Sequence, residues 1–432
     1  MLMSLYRSLG FKSGEHTISK EVIGGVTTFL AMSYILAVNP SIFSAINMDS
    51  GAVFTATALA AIIGTLVMAF YAKLPFAQAP GMGVNAFFVY TICISMGYSW
   101  QFALTGVLIE GILFIIITLT GIRNIIVDVL PDSLKKAIGC GIGLFIVFLG
   151  LMTSKFVIHS DSTLLKMGNF LDPNVILFLI GTILTGVLVI RKVPGALLLG
   201  IIITTLIGIP IGVTHMEGVL SMPKSIAPIF CKFDFSNIFS ADMVIVVLTL
   251  LFSDIFNTIG TVVGVCSSTG MIKKDGSIPR LKEAFMADAV ATVAGACFGT
   301  STTTTYVESA TGVAAGARTG VSSIITAICF VASLFFAPLF LSVPSSATSP
   351  VLLIVGLMMM NTFKDINFDN YRVVIPAFLC LITIPFTFSI SDGILVGIIF
   401  YVILNALSGN FRSIKPSMWI LATLALAQYI FL

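Results

Sequence analysis

Charge is what this chain most lacks. Only 9% of its 432 residues are Asp, Glu, Lys or Arg, against about 25% in an ordinary soluble domain. Hydrophobic residues make up 57% and mean hydropathy is +1.09. A soluble chain this apolar could not cover its own surface, and a disordered one needs the opposite balance. Cysteines are few. Cys93, Cys140, Cys231, Cys266, Cys297, Cys329 and Cys380 stand singly with no Cys-x-x-Cys pair, so neither a thiolate metal site nor a disulfide framework is expected. The three histidines, His16, His159 and His215, fall in loops or the N-terminal tail and suggest no metal site. Phosphate-loop, zinc and nucleophile-elbow patterns are lacking, which argues against an enzyme. The first 20 residues hold no long apolar run, so no cleavable signal peptide is expected.

What is present is a series of apolar runs, each near the ~20 residues that one bilayer crossing needs. Seven lie near 20–43, 51–72, 79–96, 101–120, 133–153, 173–190 and 194–213. Seven more lie near 242–266, 281–298, 301–317, 319–341, 345–361, 371–388 and 390–408. The pattern predicts an all-α polytopic membrane protein of fourteen segments. Residues 1–213 form a first seven-segment unit, 214–241 a polar outer linker, 242–410 a second unit and 411–432 a tail. The run at 417–431 is short for a span and suits an interfacial helix. With the N-terminus inside, alternation places 18 of the 22 Lys and Arg residues inside. Lys155, Lys166, Lys224 and Lys232 fall outside. That asymmetry follows the positive-inside rule.

The halves are related. A shift of 223 residues lays Phe29 on Phe252 and Asn85 on Glu308, and GLFIVFLG (143–150) on SPVLLIVG (349–356). It does the same for PGALLLGIII (194–203) and DGILVGIIFY (392–401). Seven is odd, so the second unit is inverted in the membrane. Inverted repeats mark secondary transporters, with the binding site near the midplane.

Two corresponding segments look broken. Segment three opens with FAQAPGMGVNAFF and segment ten with GTSTTTTYVES. Proline and glycine disfavour helix in the first. Threonine and serine favour extended chain in the second. A short strand followed by a half-helix is expected in each, lining a cavity where free backbone groups are tolerated.

Four acids interrupt apolar runs: Glu110, Asp254, Asp288 and Glu308. A charge at the bilayer centre costs about 3 kcal/mol on insertion scales, so each needs a reason to be there. Glu308, at the start of the segment-ten half-helix, is expected to bind substrate opposite its offset partner Asn85. A carboxylate and an amide together suit a planar heterocycle with N–H donors and acceptors. Asp254, and Asn257 three residues on along the same helix face, are further binding candidates. Thr304 supplies a hydroxyl, and Tyr306 either stacks on a flat ring or packs in the core. Asp288 either steadies the broken segments or joins Glu308 and Asp254 in carrying a proton. Glu110 reads as an interhelical hydrogen bond. The Gly139-x-Gly141-x-Gly143 series follows no strand and reads as close helix packing rather than a nucleotide motif.

The stretches APGMGVNAFF, FSDIFNTIGTVVGV and TSTTTTYVESATGVAAGARTG resemble the AzgA-like adenine/guanine/hypoxanthine permeases of the nucleobase–ascorbate transporter superfamily. The resemblance runs from GGVTTFLAMSYILAVNP (24–40) to about residue 410. It implies the uracil-permease fold, with segments 1–4 and 8–11 as a core and 5–7 and 12–14 as a gate. It also implies proton symport of purine bases across the plasma membrane, no cofactor and a possible homodimer. The family site maps onto Asn85, Asp254, Tyr306 and Glu308. One departure is Asn257, where the family pattern has Asp. The alternative is an anion exchanger of the same fold. Glu308 argues against it, because anion sites at helix N-termini favour a nearby cation.

Overall fold

The computed structural model describes residues 9–12, 16–120, 131–160, 162–193, 195–216, 218–268, 280–366, 368–387 and 390–431. Arg7, Arg123, Lys273 and Lys274, counted above among the inner charges, lie outside the described residues, as does Pro194 of the last repeat match.

Segment one is two helices, α1 (Ile18–Met32) and α2 (Ile35–Phe43), separated by a break at Ser33 and Tyr34. Segment two is α3 (Ser50–Val67). Its N-cap Asp49 accepts a hydrogen bond from the Ala52 N–H at 2.7 Å, satisfying one of the free donors of a helix start. Segment three holds strand β1 (Gln78–Pro80), the short helix α4 (Met82–Ala86) and a π-helical continuation over Phe87–Ser95. Then come α5 (Trp100–Thr120) and α6 (Asp132–Thr153), and, after a hairpin, α7 (Pro173–Ile190) and α8 (Ala196–Ile211). The hairpin pairs β2 (Val157–Ser160) with β3 (Leu164–Met167) and was not expected from the sequence.

The second half repeats the plan. It runs α9 (Ala241–Ser268), α10 (Leu281–Phe298), strand β4 (Thr303–Thr305) with helix α11 (Ser309–Ala314), and α12 (Gly320–Ser333) extended by α13 (Ala337–Leu341). It ends with α14 (Ser345–Met359), α15 (Tyr371–Thr387) and α16 (Ile390–Leu407). The tail forms α17 (Pro416–Phe431), which packs on α16. The fourteen expected segments are all present, and segments three and ten are the ones built on a strand. Among the described residues, six helical stretches are long and apolar enough to cross a membrane. Large apolar side chains such as Ile183, Ile190 and Leu206 are exposed on the outer surface, as lipid contact requires.

Packing sorts the helices. α10 lies against α3 and α5, while α12 lies against α1 and α3. Separately, α6 packs on α14 and α15, and α7 on α8 and α14. The α6–α14 crossing is tight: a Cβ on Gly143 would come 2.6 Å from the Gly356 carbonyl oxygen. Gly141 faces Leu381 and Ile384 as closely, so two of the three spaced glycines serve helix packing. Gly139 has open space beside it.

The two ends of the helices are tied by different contacts. At one end the Arg280 guanidinium donates to the Ala72 carbonyl at 3.3 Å, and Glu21 accepts from the Arg318 N–H at 3.0 Å. At the other, residues of 214–241 meet the ends of α5, α10 and α12. The Asp234 N–H donates to Thr105 Oγ1 at 2.9 Å, the Cys231 N–H to the Cys297 carbonyl at 2.7 Å and the Ser221 N–H to the Phe335 carbonyl at 2.9 Å.

Candidate functional site

The site is built where the broken segments meet. Strands β1 and β4 pair antiparallel, with Gln78 opposite Thr305, Ala79 opposite Thr304 and Pro80 opposite Thr303. The ladder runs past both strands: Gly81 N–H donates to the Thr302 carbonyl and Tyr306 N–H to the Ala77 carbonyl, each at 3.0 Å. Backbone that would otherwise stand unpaired at membrane depth is thus satisfied from the other half. Gly81 permits the approach, since a Cβ there would lie 3.0 Å from the Thr304 side chain. Side chains brace the pair. Thr65 Oγ1 accepts from the Gln78 N–H at 3.0 Å, Thr292 Oγ1 donates to the Thr303 carbonyl at 3.1 Å, and Ser309 Oγ accepts from the Ala77 N–H at 3.0 Å.

Asp288 on α10 is fully buried beneath this pair. It accepts from the Gln78 amide, from Thr258 Oγ1 and, at 2.8 Å, from Thr305 Oγ1. These bonds tie both strands to α9 and α10.

Glu308 occupies the N-cap position of α11 and is 8% exposed. Its Oε1 accepts from the Tyr34 hydroxyl at 2.6 Å. Asn85, in α4, is fully buried. Its Oδ1 accepts from Ser301 Oγ, and its Nδ2 has no partner among the described residues. No hydrogen bond joins Asn85 to Glu308, so the two offset partners are held by different neighbours rather than by each other. Asn257 donates its amide to Thr304 Oγ1 at 3.1 Å, tying α9 to β4. Tyr306 is buried and its hydroxyl donates to the Pro80 carbonyl at 2.6 Å, which ties the ring to the strand pair.

Asp254, also fully buried, receives no hydrogen bond on either oxygen among the described residues. Glu110 lies on α5, which packs against α9. Glu110 in turn accepts from Thr302 Oγ1 at 3.1 Å. That bond ties α5 to the extended chain before β4 rather than to a second helix.

Sequence reasoning missed Tyr34, Gln78 and Ser301. Gln78 carried a signal, as a polar residue inside an interrupted apolar run. Tyr34 carried none, because the break that presents it is formed by Ser33 and Tyr34 themselves. Beyond α4, a small apolar recess is lined by Ile42, Met82, Ala86, Tyr90, Ile146 and Leu352, among others. It lies between the two packing groups.

Comparison with known proteins agrees with this architecture. The Permease family of xanthine/uracil type matches residues 19–396. A guanine/hypoxanthine permease of Bacillus subtilis, PbuG, is 42% identical, over 95% of this chain and 96% of its own. An adenine permease of Escherichia coli, AdeP, is 34% identical, over 98% of this chain and 95% of its own. The solved transmembrane domain of the cyanobacterial bicarbonate transporter BicA superposes with a TM-score of 0.63 at 14% identity, over 90% of this chain and 98% of that one. That likeness concerns the fold alone. This multi-pass membrane chain belongs to the Permease family of xanthine/uracil type, in the AzgA-like branch of the nucleobase–ascorbate transporter superfamily.

Proposed function

We propose that this chain carries purine nucleobases across the plasma membrane, driven by protons, by alternating access. The observation that carries the reading is that Asn85 and Glu308 stand in the short helices that follow the paired strands β1 and β4, while Asn257 bonds to Thr304 of that buried pair. A neutral heterocycle offers N–H donors to a carboxylate and ring nitrogens or carbonyls to an amide. Glu308 and the unpartnered Asn85 amide supply that combination. The substrates named for the B. subtilis and E. coli relatives are purine bases, which supports the class and leaves the preferred purine open.

The packing groups suit a division of labour. Segments 1–4 and 8–11 form a core that holds the site, and 5–7 and 12–14 form a gate. The core moves against the gate, and the recess between α4, α6 and α14 marks their contact. The N-terminus is cytoplasmic, and the 214–241 linker faces out. The molecule works as a homodimer. The second reading, an anion exchanger, draws on the likeness to BicA. It is disfavoured by Glu308, whose charge would repel an anion at the start of α11.

One uptake panel tests the assignment. Radiolabelled hypoxanthine uptake should be competed by purines and by neither uracil nor sulfate, and a protonophore should abolish accumulation. Competition by sulfate alone would favour the anion reading.

A further inference from the structure

We propose that Cys231 and Cys297 close into a disulfide that staples the 214–241 linker to the end of α10. This staple is independent of which substrate the chain carries.

Nothing in their spacing pairs these two cysteines; the fold brings them together. The Cys231 N–H donates to the Cys297 carbonyl at 2.7 Å. With standard bond lengths, that contact holds the two Cα atoms within about 6.6 Å, inside the ~4.4–6.8 Å that a disulfide spans. The neighbouring residues keep the same register in reverse order. Phe230 stacks on Phe298, with ring centroids 6.4 Å apart and planes at 30°. Ile229 lies against Gly299, where an added Cβ would come 2.8 Å from the Ile229 carbonyl oxygen. Gly299 takes a φ of 95° and ends α10. The linker thus runs antiparallel to the last residues of α10, and the Phe pair shows that side chains opposed in this register meet. The buried Ile229 pins the register from one side.

Both thiols are free, with Cys231 exposed and Cys297 half-buried. The other five cysteines lie within helical segments and none is exposed, so an oxidant meets Cys231 first. A small disulfide such as oxidised glutathione is that oxidant. The Cys231 thiolate attacks one of its sulfurs, which forms a mixed disulfide and releases one thiol. The Cys297 thiolate then attacks Cys231 Sγ and releases the second thiol. Each cysteine gives up one proton, and the two electrons they lose reduce the oxidant to its two thiols.

The bond closes a loop that contains all of α9. Closing a loop removes conformations from the unfolded chain and so favours the folded one. From Ser221 onward the linker is already tied to this side of the molecule. Ser221 bonds to Phe335 after α12, Lys224 lies over Gly51 of α3, and Asp234 bonds to Thr105 of α5. The staple therefore fixes a contact that the fold already holds.

The test treats the purified full chain in detergent with oxidised glutathione and maps its peptides without reduction. A peptide joining Cys231 to Cys297 should appear and should vanish on reduction. Cys297→Ser should block it and leave glutathione on Cys231. In thermal melts the oxidised chain should unfold about 5 °C above the reduced one, and the Cys297→Ser chain should show no such shift. Should that variant fail to fold, Cys231→Ser gives the same comparison, and the peptide map of the unmodified chain decides in either case. The proposal is overturned if the folded chain takes glutathione on Cys231 without bonding to Cys297, or if the joined peptide forms only after unfolding in urea. It is also overturned if the bond closes and the melting temperature falls.

Discussion

The Tyr34 hydroxyl donates to Glu308 Oε1 at 2.6 Å, joining residues 274 positions apart. Tyr34 comes from the break between α1 and α2, and Glu308 from the break between β4 and α11. Two helix interruptions, one in each half, thus meet at one buried hydrogen bond. Tyr34 fixes where the Glu308 carboxyl points.

Removing the charge of Glu308 should be costly. Glu308→Gln keeps the shape but loses a charge-assisted acceptor worth about 1.5–3 kcal/mol, so uptake should fall at least ~10-fold. Tyr34→Phe removes a donor and not the acceptor. It should lower the initial rate less, by about fivefold for a bond near 1 kcal/mol. Initial rates of hypoxanthine uptake at matched expression check both, and normal uptake by the Gln variant would remove Glu308 from the site.

Asp288 should matter for folding before it matters for substrate. Asp288→Leu strands the Gln78 amide and the Thr258 and Thr305 hydroxyls, each costing about 1–3 kcal/mol if left without a partner. Asp288→Asn can still accept one or two of them. Thermal melts in detergent should show the Leu variant well below the Asn variant, and the order reversed would contradict the strand-holding role.

Topology is open to labelling. With Cys231 replaced by Ser, a cysteine at the exposed Ser225 should react with an impermeant maleimide added outside. A cysteine at Ser408, after α16, should react only once the membrane is opened. The opposite result would turn the molecule over.

Coupling can be read from pH. Purine bases are largely neutral near pH 7, so accumulation against a gradient needs a driving ion. Uptake should be faster at pH 5.5 than at pH 8, cease with a protonophore, and proceed without Na⁺. Strict Na⁺ dependence would refute proton symport and leave the purine assignment intact.

Much of this was legible in the sequence because a membrane makes the signal coarse. Apolar runs and lone acids stand out when charge is this scarce, so segments and the four buried acids could be named. Proline in FAQAP and threonine in STTTTY marked the strands. The partners were not legible. Tyr34 with Glu308, Ser301 with Asn85, and Gln78 with Asp288 join residues more than 200 positions apart, and no local pattern encodes such a meeting. The β2–β3 hairpin was missed for a different reason: it lies in a loop, outside the hydropathy pattern that located the segments. The π-helical stretch at Phe87–Ser95 was invisible because hydropathy does not distinguish it from an α-helix.

The pairing of β1 with β4 has a consequence for how such a molecule could be assembled. Threonines of the same half satisfy one edge of each strand, but the edges that face each other cannot close within one half, since every backbone rung between β1 and β4 crosses from one half to the other. Either seven-segment half expressed alone would carry raw strand edges into lipid, where each unpaired group costs several kcal/mol. The halves are therefore obligate complements. Split at the 214–241 linker and co-expressed, they should be recovered only as a pair, and a chain of one half could reach the same closure only by meeting a second copy inserted the other way up.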